Sequence, residues 1–195
     1  MSKIISVANQ KGGVGKTTTS INLATSLSAV DKKILLVDAD PQGNASTGMG
    51  ISYNNRAPTL YDLIVNMEYD EKAIKKTIVT RLDIITANTN LAASEIELVG
   101  VEKREFVISN ILSKTKGYDY VLIDCPPALG LLTINALVAS HSVIVPLQSE
   151  FFALEGISSL INSIELIKEN FNPDLVIEGI LLTMVDKRNS LSSLV

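Results

Sequence analysis

The chain has 195 residues, of which 46% are hydrophobic and 19% are charged, and its formal net charge is −4. This length and composition are typical of one globular domain with a well-buried core. The single cysteine, Cys125, excludes an internal disulfide and fits a reducing cytoplasm, and the apolar N-terminal stretch is too short for a membrane helix or a secretory signal. Because the net charge is negative, any contact with nucleic acid needs a local basic patch.

Six short apolar runs, separated by helical patterns, predict the strands of a mostly parallel sheet. The predicted strands cover residues 3–8, 33–38, 82–87, 119–124, 141–147 and 176–184. The runs are nearly continuous and rich in β-branched residues, which is typical of strands covered by helices on both faces. We therefore predict one α/β domain over residues 1–195, with a mostly parallel sheet flanked by helices on both faces.

Two helices are predicted from apolar spacing. The first covers 17–29 and should face the core with Ile21, Leu23, Ala24 and Leu27. The second covers 154–170, and its apolar stripe consists of Leu154, Ile157, Leu160, Ile161, Ile164 and Ile167. The spacing leaves open whether this stripe packs on the sheet or on a partner.

A glycine-rich segment follows the first predicted strand and opens the first helix. Its residues are Lys11-Gly12-Gly13-Val14-Gly15-Lys16-Thr17-Thr18. Small glycines let backbone N–H groups surround an anion, and the helix N-terminus adds unpaired donors and the positive end of its dipole. Lys16 is placed to reach the β- and γ-phosphates of a nucleoside triphosphate, and Thr17 offers a Mg²⁺ ligand. The segment therefore predicts a phosphate-binding loop.

This loop departs from its usual pattern at one position. The glycine expected five positions before Gly15 is Gln10 here, and Lys11 follows it. A second ammonium group is thus aimed at the phosphate region, with a solvated surface lysine as the alternative. The substitution is that of the deviant Walker A loop, and in this respect the chain resembles the ParA/MinD family of ATPases. The resemblance implies that Lys11 reaches across a dimer to the nucleotide of the partner subunit.

Two predicted strands run into acidic residues. The strand 33–38 leads into the segment Asp38-Ala39-Asp40-Pro41-Gln42-Gly43-Asn44. The strand 119–124 ends at Asp124, where a carboxylate can hold a water of Mg²⁺. Because the carboxyl ends of parallel strands share one edge of a sheet, these side chains should lie beside the glycine-rich loop. Taken alone, each segment is equally an acidic cap on a turn.

The residues after Asp124 have the composition of a switch. Pro126 and Pro127 stiffen the segment and Gly130 frees it, which suits a loop that senses the γ-phosphate. Cys125 lies next to Asp124, where it could be a nucleophile if a histidine partner were nearby. The one histidine of the sequence, His141, begins a later strand and is not an evident partner. We interpret Cys125 as a small buried filler and His141 as a residue at a loop edge.

The letters D-x-D-P-Q-G-N narrow the resemblance to the ParA/Soj branch. The resemblance implies that Asp40 positions or activates the attacking water, that Asp38 supports the metal shell and the loop, and that Asp124 is the Walker B acid. Gln42 and Asn44 are further candidates for contacts to phosphate or to a partner. In the combined hypothesis the catalytic residues are Lys11, Lys16, Asp40 and Asp124. ATP is held by residues 11–18, and Mg²⁺ by Thr17, Asp38 and Asp124.

The resemblance also implies a cellular role. It is that of a cytoplasmic, nucleoid-associated ATPase that dimerises with ATP, binds DNA without sequence preference, responds to a ParB-type protein and partitions chromosomes or plasmids. Lys187 and Arg188 are candidates for DNA contacts, although two basic loop residues are also common on solvated surfaces. No membrane is expected, and the alternatives are a MinD-like positioning ATPase at a membrane or a catalytically impaired ParA fragment.

The end of the sequence looks incomplete. Ser190 is suited to cap a helix whose Leu191 and Leu194 face inward, and the pattern stops at Val195. Members of the family continue with another strand, an adenine-contacting loop and further helices. We therefore expect a chain that is truncated at its C-terminus.

Overall fold

The computed structural model describes residues 2–148 and 153–185, with side chains from residue 156 onward in the second range. Its sheet has seven strands in the order β3-β4-β2-β5-β1-β6-β7. The strands are β1 Lys3–Val7, β2 Ile34–Asp38, β3 Ile74–Lys76, β4 Leu82–Ile85, β5 Tyr120–Asp124, β6 Ser142–Gln148 and β7 Val176–Thr183. All neighbours pair in parallel except β3 and β4. The predicted mostly parallel sheet is confirmed.

Helices connect the strands and lie on both faces of the sheet. They are α1 Lys16–Ala29, α2 Asn44–Gly48, α3 Leu60–Asn66, α4 Ser94–Glu97, α5 Val107–Leu112, α6 Leu131–Ala139 and α7 Ala153–Asn170. Side chains alternate along β2: Ile34 and Leu36 pack in one core with α1, while Leu35 and Val37 pack in the other with α3, α5, α6 and α7. The prediction of helices on both faces is therefore confirmed for the centre of the sheet.

The sequence prediction missed β3. Its three residues, Ile74–Lys76, carry no apolar pattern, and they pair antiparallel with β4 at the edge of the sheet. The predicted strand 82–87 ends earlier, at Ile85. There the chain leaves the ladder, because the Thr86 carbonyl accepts from Leu60 N–H and Ala87 N–H donates to the Ser46 hydroxyl.

Helix α1 faces the sheet with small residues. Its buried positions are Lys16, Ser20, Ala24 and Ser28, whereas the predicted inward residues Ile21, Leu23 and Leu27 are only partly buried. The small side chains, four residues apart, let the helix lie close to the strands, and the larger apolar ones cover the flanks. The prediction was right for Ala24 and incomplete for the rest.

Helix α7 buries the centre of its predicted stripe, at Leu160, Ile164 and Ile167. Ile161 stays 36% exposed, because it lies at the margin of the stripe. The side chain of Leu154, the predicted helix start at Ser190, and the candidate DNA residues Lys187 and Arg188 lie outside the described residues.

Strand β7 differs from the other parallel strands. Its apolar residues are exposed by 37% to 54%, and consecutive residues such as Leu181 and Leu182 expose opposite faces. Within the described part of the chain the expected cover on both faces is therefore absent at this edge. In the same part, no helix has the length and apolarity to cross a membrane.

Candidate nucleotide-binding site

The glycine-rich loop lies between β1 and α1, where the carboxyl edge of the sheet meets a helix N-terminus. Gly15 precedes α1 with a φ of 88°, a conformation that glycine adopts without strain. The loop borders a cavity of about 330 Å³, which Asp40, Asn44 and Pro127 line from the opposite side. The structure thus brings together the predicted loop and both acidic segments.

Lys16 begins α1 and points its ammonium group back into the loop. Its Nζ donates to the Lys11 carbonyl oxygen at 3.0 Å, and only 7% of the residue is exposed. Burial lowers the pKa of Lys16, while Asp124, Cys125 and Asp40 act in the opposite direction. A partly desolvated ammonium at the wall of the cavity is well placed to pair with a phosphate.

Lys11 lies at the mouth of the loop with an exposed side chain, and its N–H donates to Asn9 Oδ1 at 3.0 Å. The opposite wall of the loop is held by polar side chains that the sequence prediction did not use. Thr183, at the end of β7, donates to the Val14 carbonyl at 2.9 Å, and Asn9 donates to the Pro146 carbonyl at 2.6 Å. Their signal was a polar residue at a strand end, the same signal that identified Asp38.

Asp124 ends β5 directly beside Asp38 at the end of β2, because the two residues are paired in register. Its Oδ1 accepts from the Ser20 hydroxyl at 2.9 Å, and the Thr17 hydroxyl lies close enough to the carboxylate to favour its ionised form. Its Oδ2 is buried and has no hydrogen-bond partner among the described residues. Burial, with Asp38 nearby, raises the pKa of Asp124 to about 7. When Asp124 is ionised, a buried carboxylate oxygen without a hydrogen-bond partner is stabilised by a cation or a cation-bound water.

Magnesium fits this arrangement. The described residues contain no cluster of three or more His, Cys, Asp or Glu that would hold a metal without other ligands. Mg²⁺ suits such a site, because it takes few protein oxygens and completes its shell with phosphates and water. The bare Oδ2 of Asp124 and the hydroxyl of Thr17 are hard oxygen donors of the right kind.

Asp38 is fully buried and organises the loop that follows it. Its Oδ2 accepts from the N–H and the hydroxyl of Ser46, at 2.7 and 2.6 Å, and its Oδ1 accepts from Asp40 N–H at 3.3 Å. Burial raises the pKa of Asp38 to about 6, although the Ser46 bonds act against this shift. The part of the hypothesis that assigns Asp38 to loop support agrees with these bonds, and its metal contact stays a prediction.

Asp40 lies in the wall of the cavity and is 7% exposed. Its Oδ1 accepts from Gln42 N–H at 2.9 Å and its carbonyl from Gly43 N–H at 2.8 Å, so the segment forms a tight turn before α2. The carboxylate is near enough to act against the lowering of the Lys16 pKa and to add to the raised pKa of Asp124. It therefore faces the region that the phosphates would occupy. Gln42 and Asn44 line the same cavity.

The loop after Asp124 is supported from α4. Glu95 Oε1 accepts from Leu132 N–H, at the start of α6, at 3.2 Å, and it lies so close to Gly130 that a Cβ there would collide with it. The Thr133 hydroxyl donates to the Ala128 carbonyl at 2.5 Å. Pro127 and Ala128 themselves are exposed. The sequence prediction missed Glu95, since nothing in its local pattern points to a residue more than thirty positions away.

The interpretations of Cys125 and His141 are confirmed. Cys125 is 1% exposed, and burial raises the pKa of its thiol to about 12, which disfavours the reactive thiolate. His141 is exposed at the opposite edge of the sheet, where its Nδ1 accepts from Ile4 N–H at 2.9 Å.

Known proteins resemble this chain in sequence and in fold. The model of a family described as "AAA domain" matches residues 2–177. The sporulation initiation inhibitor protein Soj of Bacillus subtilis (strain 168) is 52% identical over 192 residues, which are 98% of this chain and 76% of Soj. The chromosome partitioning protein ParA of Myxococcus xanthus (strain DK1622) is 49% identical over 97% of this chain and 68% of that protein.

A solved structure with a similar fold is that of the cobyrinic acid a,c-diamide synthase from Mycobacterium smegmatis with bound ATP analog and magnesium. It superimposes with a TM-score of 0.94 at 36% identity, over 99% of this chain and 79% of the other. About half of the aligned residues are identical in each of the two sequence relatives, and the alignments cover almost the whole of this chain. The chain therefore belongs to the ParA/Soj family of partitioning ATPases.

Proposed function

We propose that this chain is a nucleotide-dependent switch that hydrolyses ATP with Mg²⁺ and alternates between two states during the partitioning of chromosomes or plasmids. The observation that carries the proposal is the cavity where Lys16, Asp40 and the glycine-rich loop meet, with Asp124 behind it. ATP and Mg²⁺ are the cofactors that this donor set fits.

Several residues in and behind the cavity have a task in phosphoryl transfer, which requires charge neutralisation, metal placement and an oriented water. Backbone N–H groups of the loop and Lys16 hold the β- and γ-phosphates. Thr17 and Asp124 hold Mg²⁺ and its water, with Asp38 behind them. Bound Mg²⁺ neutralises charge that develops on the phosphate oxygens. Asp40 orients the attacking water from the opposite wall.

The proposed ATP-dependent dimer is supported by the position of Lys11. Its exposed position at the mouth of the loop supports a role toward the nucleotide of a second subunit. In this proposal the ATP-bound dimer binds DNA without sequence preference in the cytoplasm, on the nucleoid, and a ParB-type protein stimulates hydrolysis. Nucleotide state and assembly are then coupled.

The Mycobacterium smegmatis structure carries the name of a different reaction on nearly the same fold. A fold alone does not decide between an amide synthase and a switch. The higher identity to Soj and ParA, 52% and 49% against 36%, favours the switch. We also propose that residues 1–195 form a single domain.

The first experiment replaces the proposed water-positioning residue. Asp40→Ala should leave the affinity for Mg·ATP within about threefold and lower the hydrolysis rate by about 100-fold or more, because only the water loses its partner. Titration with a fluorescent ATP analogue and phosphate release measure the two effects. Asp31→Ala, at a side chain that is 85% exposed, is the matched control. Normal turnover in Asp40→Ala would remove Asp40 from its role.

The second experiment concerns the subunit contact. Lys11→Ala should fold normally and bind ATP as a monomer but lose the ATP-dependent dimer, since one ammonium per site is removed from the interface. Light scattering with Mg²⁺ and a non-hydrolysable ATP analogue measures the mass. Lys32→Ala, another exposed lysine, serves as the control. A dimer of unchanged stability in Lys11→Ala would contradict the assignment across subunits.

A further inference from the structure

Arg56 is a buried arginine behind the loop that carries Asp40. It follows a short 3₁₀ turn at Tyr53–Asn55, and only 6% of the residue is exposed. Within the described ranges no carboxylate lies at ion-pair distance from its guanidinium. Burying such a group is costly unless its N–H groups find acceptors. Arg56 must therefore donate its hydrogen bonds to neutral acceptors.

The guanidinium donates to two separate segments, α2 with the turn that follows it and the chain beyond β4. Nη2 donates to the Thr47 hydroxyl of α2 at 2.7 Å, Nη1 to the Ala87 carbonyl beyond β4 at 3.0 Å, and Nε to the Ile51 carbonyl at 3.4 Å. The ring of Tyr53 lies 5.6 Å from the guanidinium carbon. A planar fork can reach acceptors in several directions at once, which an ammonium group cannot do with the same geometry.

A short chain of contacts leads from this clamp to Asp40. The Thr47 hydroxyl that accepts from Arg56 donates to the Gly43 carbonyl at 3.1 Å, and Gly43 N–H donates to the Asp40 carbonyl at 2.8 Å. Arg56 Nη1 also packs against Gly43 so closely that a Cβ there would collide with it. The turn that aims Asp40 into the cavity is thus fixed from behind by Arg56.

We infer that Arg56 is a positioning residue for ATP hydrolysis, because its guanidinium clamps α2 and Gly43 and so fixes the direction of the Asp40 carboxylate. The inference rests on the proposed role of Asp40. Arg56 does not reach the cavity, so it acts on the attacking water only through Asp40. A small displacement of a catalytic group lowers turnover much more than it lowers substrate affinity.

The test uses the full chain and two variants of the clamp. Arg56→Lys keeps the charge and removes the fork, and Thr47→Val removes the hydroxyl that links Arg56 to Gly43. Both should lower kcat by about 10-fold or more and change the KM for ATP by less than about threefold. Arg81→Lys, at an exposed arginine that pairs with Asp31, should leave both constants unchanged. Thr47→Val keeps the test informative if Arg56→Lys folds poorly.

A double-mutant cycle separates positioning from general loop stability. Single-turnover rates are compared for Arg56→Lys, Asp40→Asn and the double variant. If Arg56 acts through Asp40, Arg56→Lys lowers the residual rate of Asp40→Asn by less than about twofold. A full 10-fold loss in the Asp40→Asn background would overturn the inference, as would wild-type kcat in both clamp variants.

The same rates distinguish this inference from the proposed function. Full turnover in Asp40→Asn would remove the water-positioning role itself, whatever the clamp variants do. Low turnover in Asp40→Asn together with normal turnover in Arg56→Lys and Thr47→Val would overturn the inference about Arg56 alone.

Discussion

The two acidic loops at the carboxyl edge of the sheet are built in opposite ways. The first, from Asp38 through α2, is fixed by three side-chain hydrogen bonds. Ser46 donates to Asp38, Thr47 donates to Gly43, and Arg56 donates to Thr47. The second, from Asp124 to Gly130, exposes Pro127 and Ala128 and is held at its far end by Glu95 and Thr133.

The difference fits the two roles proposed for these loops, the orientation of a water and the response to a γ-phosphate. A loop that aims a carboxylate at a water needs a fixed direction before the substrate arrives, and the first loop has it. A loop that responds to the presence of a γ-phosphate must be able to move at low cost, and few contacts restrain the second. The three predictions below test this contrast through matched changes in both loops.

The largest effect is expected for the acids that begin the two loops. Burial raises the pKa of Asp124 from 3.8 to about 7, so the folded state binds this proton more tightly than the unfolded state does. The stability that comes from the bound proton is therefore full below pH 3.8 and is lost as the pH rises through 7. Without Mg²⁺ or nucleotide, Asp124→Asn should therefore be more stable than the parent chain at pH 8, by roughly 3 to 4 kcal/mol, and about equal to it at pH 4.

Asp38→Asn provides the comparison. Its pKa is raised in the same direction, to about 6, but Oδ2 takes two hydrogen bonds from Ser46, and an amide in its place loses an acceptor. It should give no gain at pH 8. Urea unfolding with a chelator present, at pH 4 and pH 8, measures both variants. A stable Asp38→Asn with an unstable Asp124→Asn would reverse the contrast.

The next effect concerns the glycines that touch the two supports. Gly43 has a φ of 65° and lies against Arg56, so Gly43→Ala combines backbone strain with a displaced buried guanidinium and should cost about 2 to 3 kcal/mol. Gly130 is extended, at a φ of −78°, and meets only the end of the Glu95 side chain. Gly130→Ala should cost less than about 1 kcal/mol. Equal losses in urea unfolding would mean that both loops are equally rigid.

The smallest effect is expected for Glu95→Gln. The amide keeps an oxygen for Leu132 N–H but loses the negative charge at the N-terminus of α6, which is worth about 0.3 to 1 kcal/mol. The change should appear as a small drop in unfolding free energy and as faster hydrogen exchange of the first α6 amides. Gln substitution at the exposed Glu97, on the same helix α4, is the control. Unchanged exchange in Glu95→Gln would show that the cap contributes nothing.

Several parts of this structure were predictable from the sequence. The strand positions, the glycine-rich loop and the edge where Asp38, Asp40 and Asp124 gather follow from local patterns, because the carboxyl ends of parallel strands converge. The supports were not predictable in the same way. Arg56 contacts Thr47 at a separation of 9 positions, Ser46 contacts Asp38 at 8 and Glu95 contacts Leu132 at 37, and these contacts depend on the path of the folded chain. No periodicity marks these supports.

Size explains another miss. The prediction for α1 looked for large apolar residues, whereas the helix approaches the sheet with Ser20, Ala24 and Ser28. Close packing selects small side chains there, and hydrophobicity alone does not register them. The three-residue β3 was missed for a different reason, since a strand of that length carries too little pattern to detect.

Strand β7 is both an edge strand and a neighbour of the glycine-rich loop. It forms the outer border of the described sheet with half-exposed apolar side chains, and its last residue, Thr183, bonds to Val14 and packs 3.6 Å from the Cβ position of Gly15. An open border of this kind attracts other chains. Thr183 therefore connects this border directly to the glycine-rich loop. Assays of nucleotide affinity should accordingly be repeated across a range of protein concentrations.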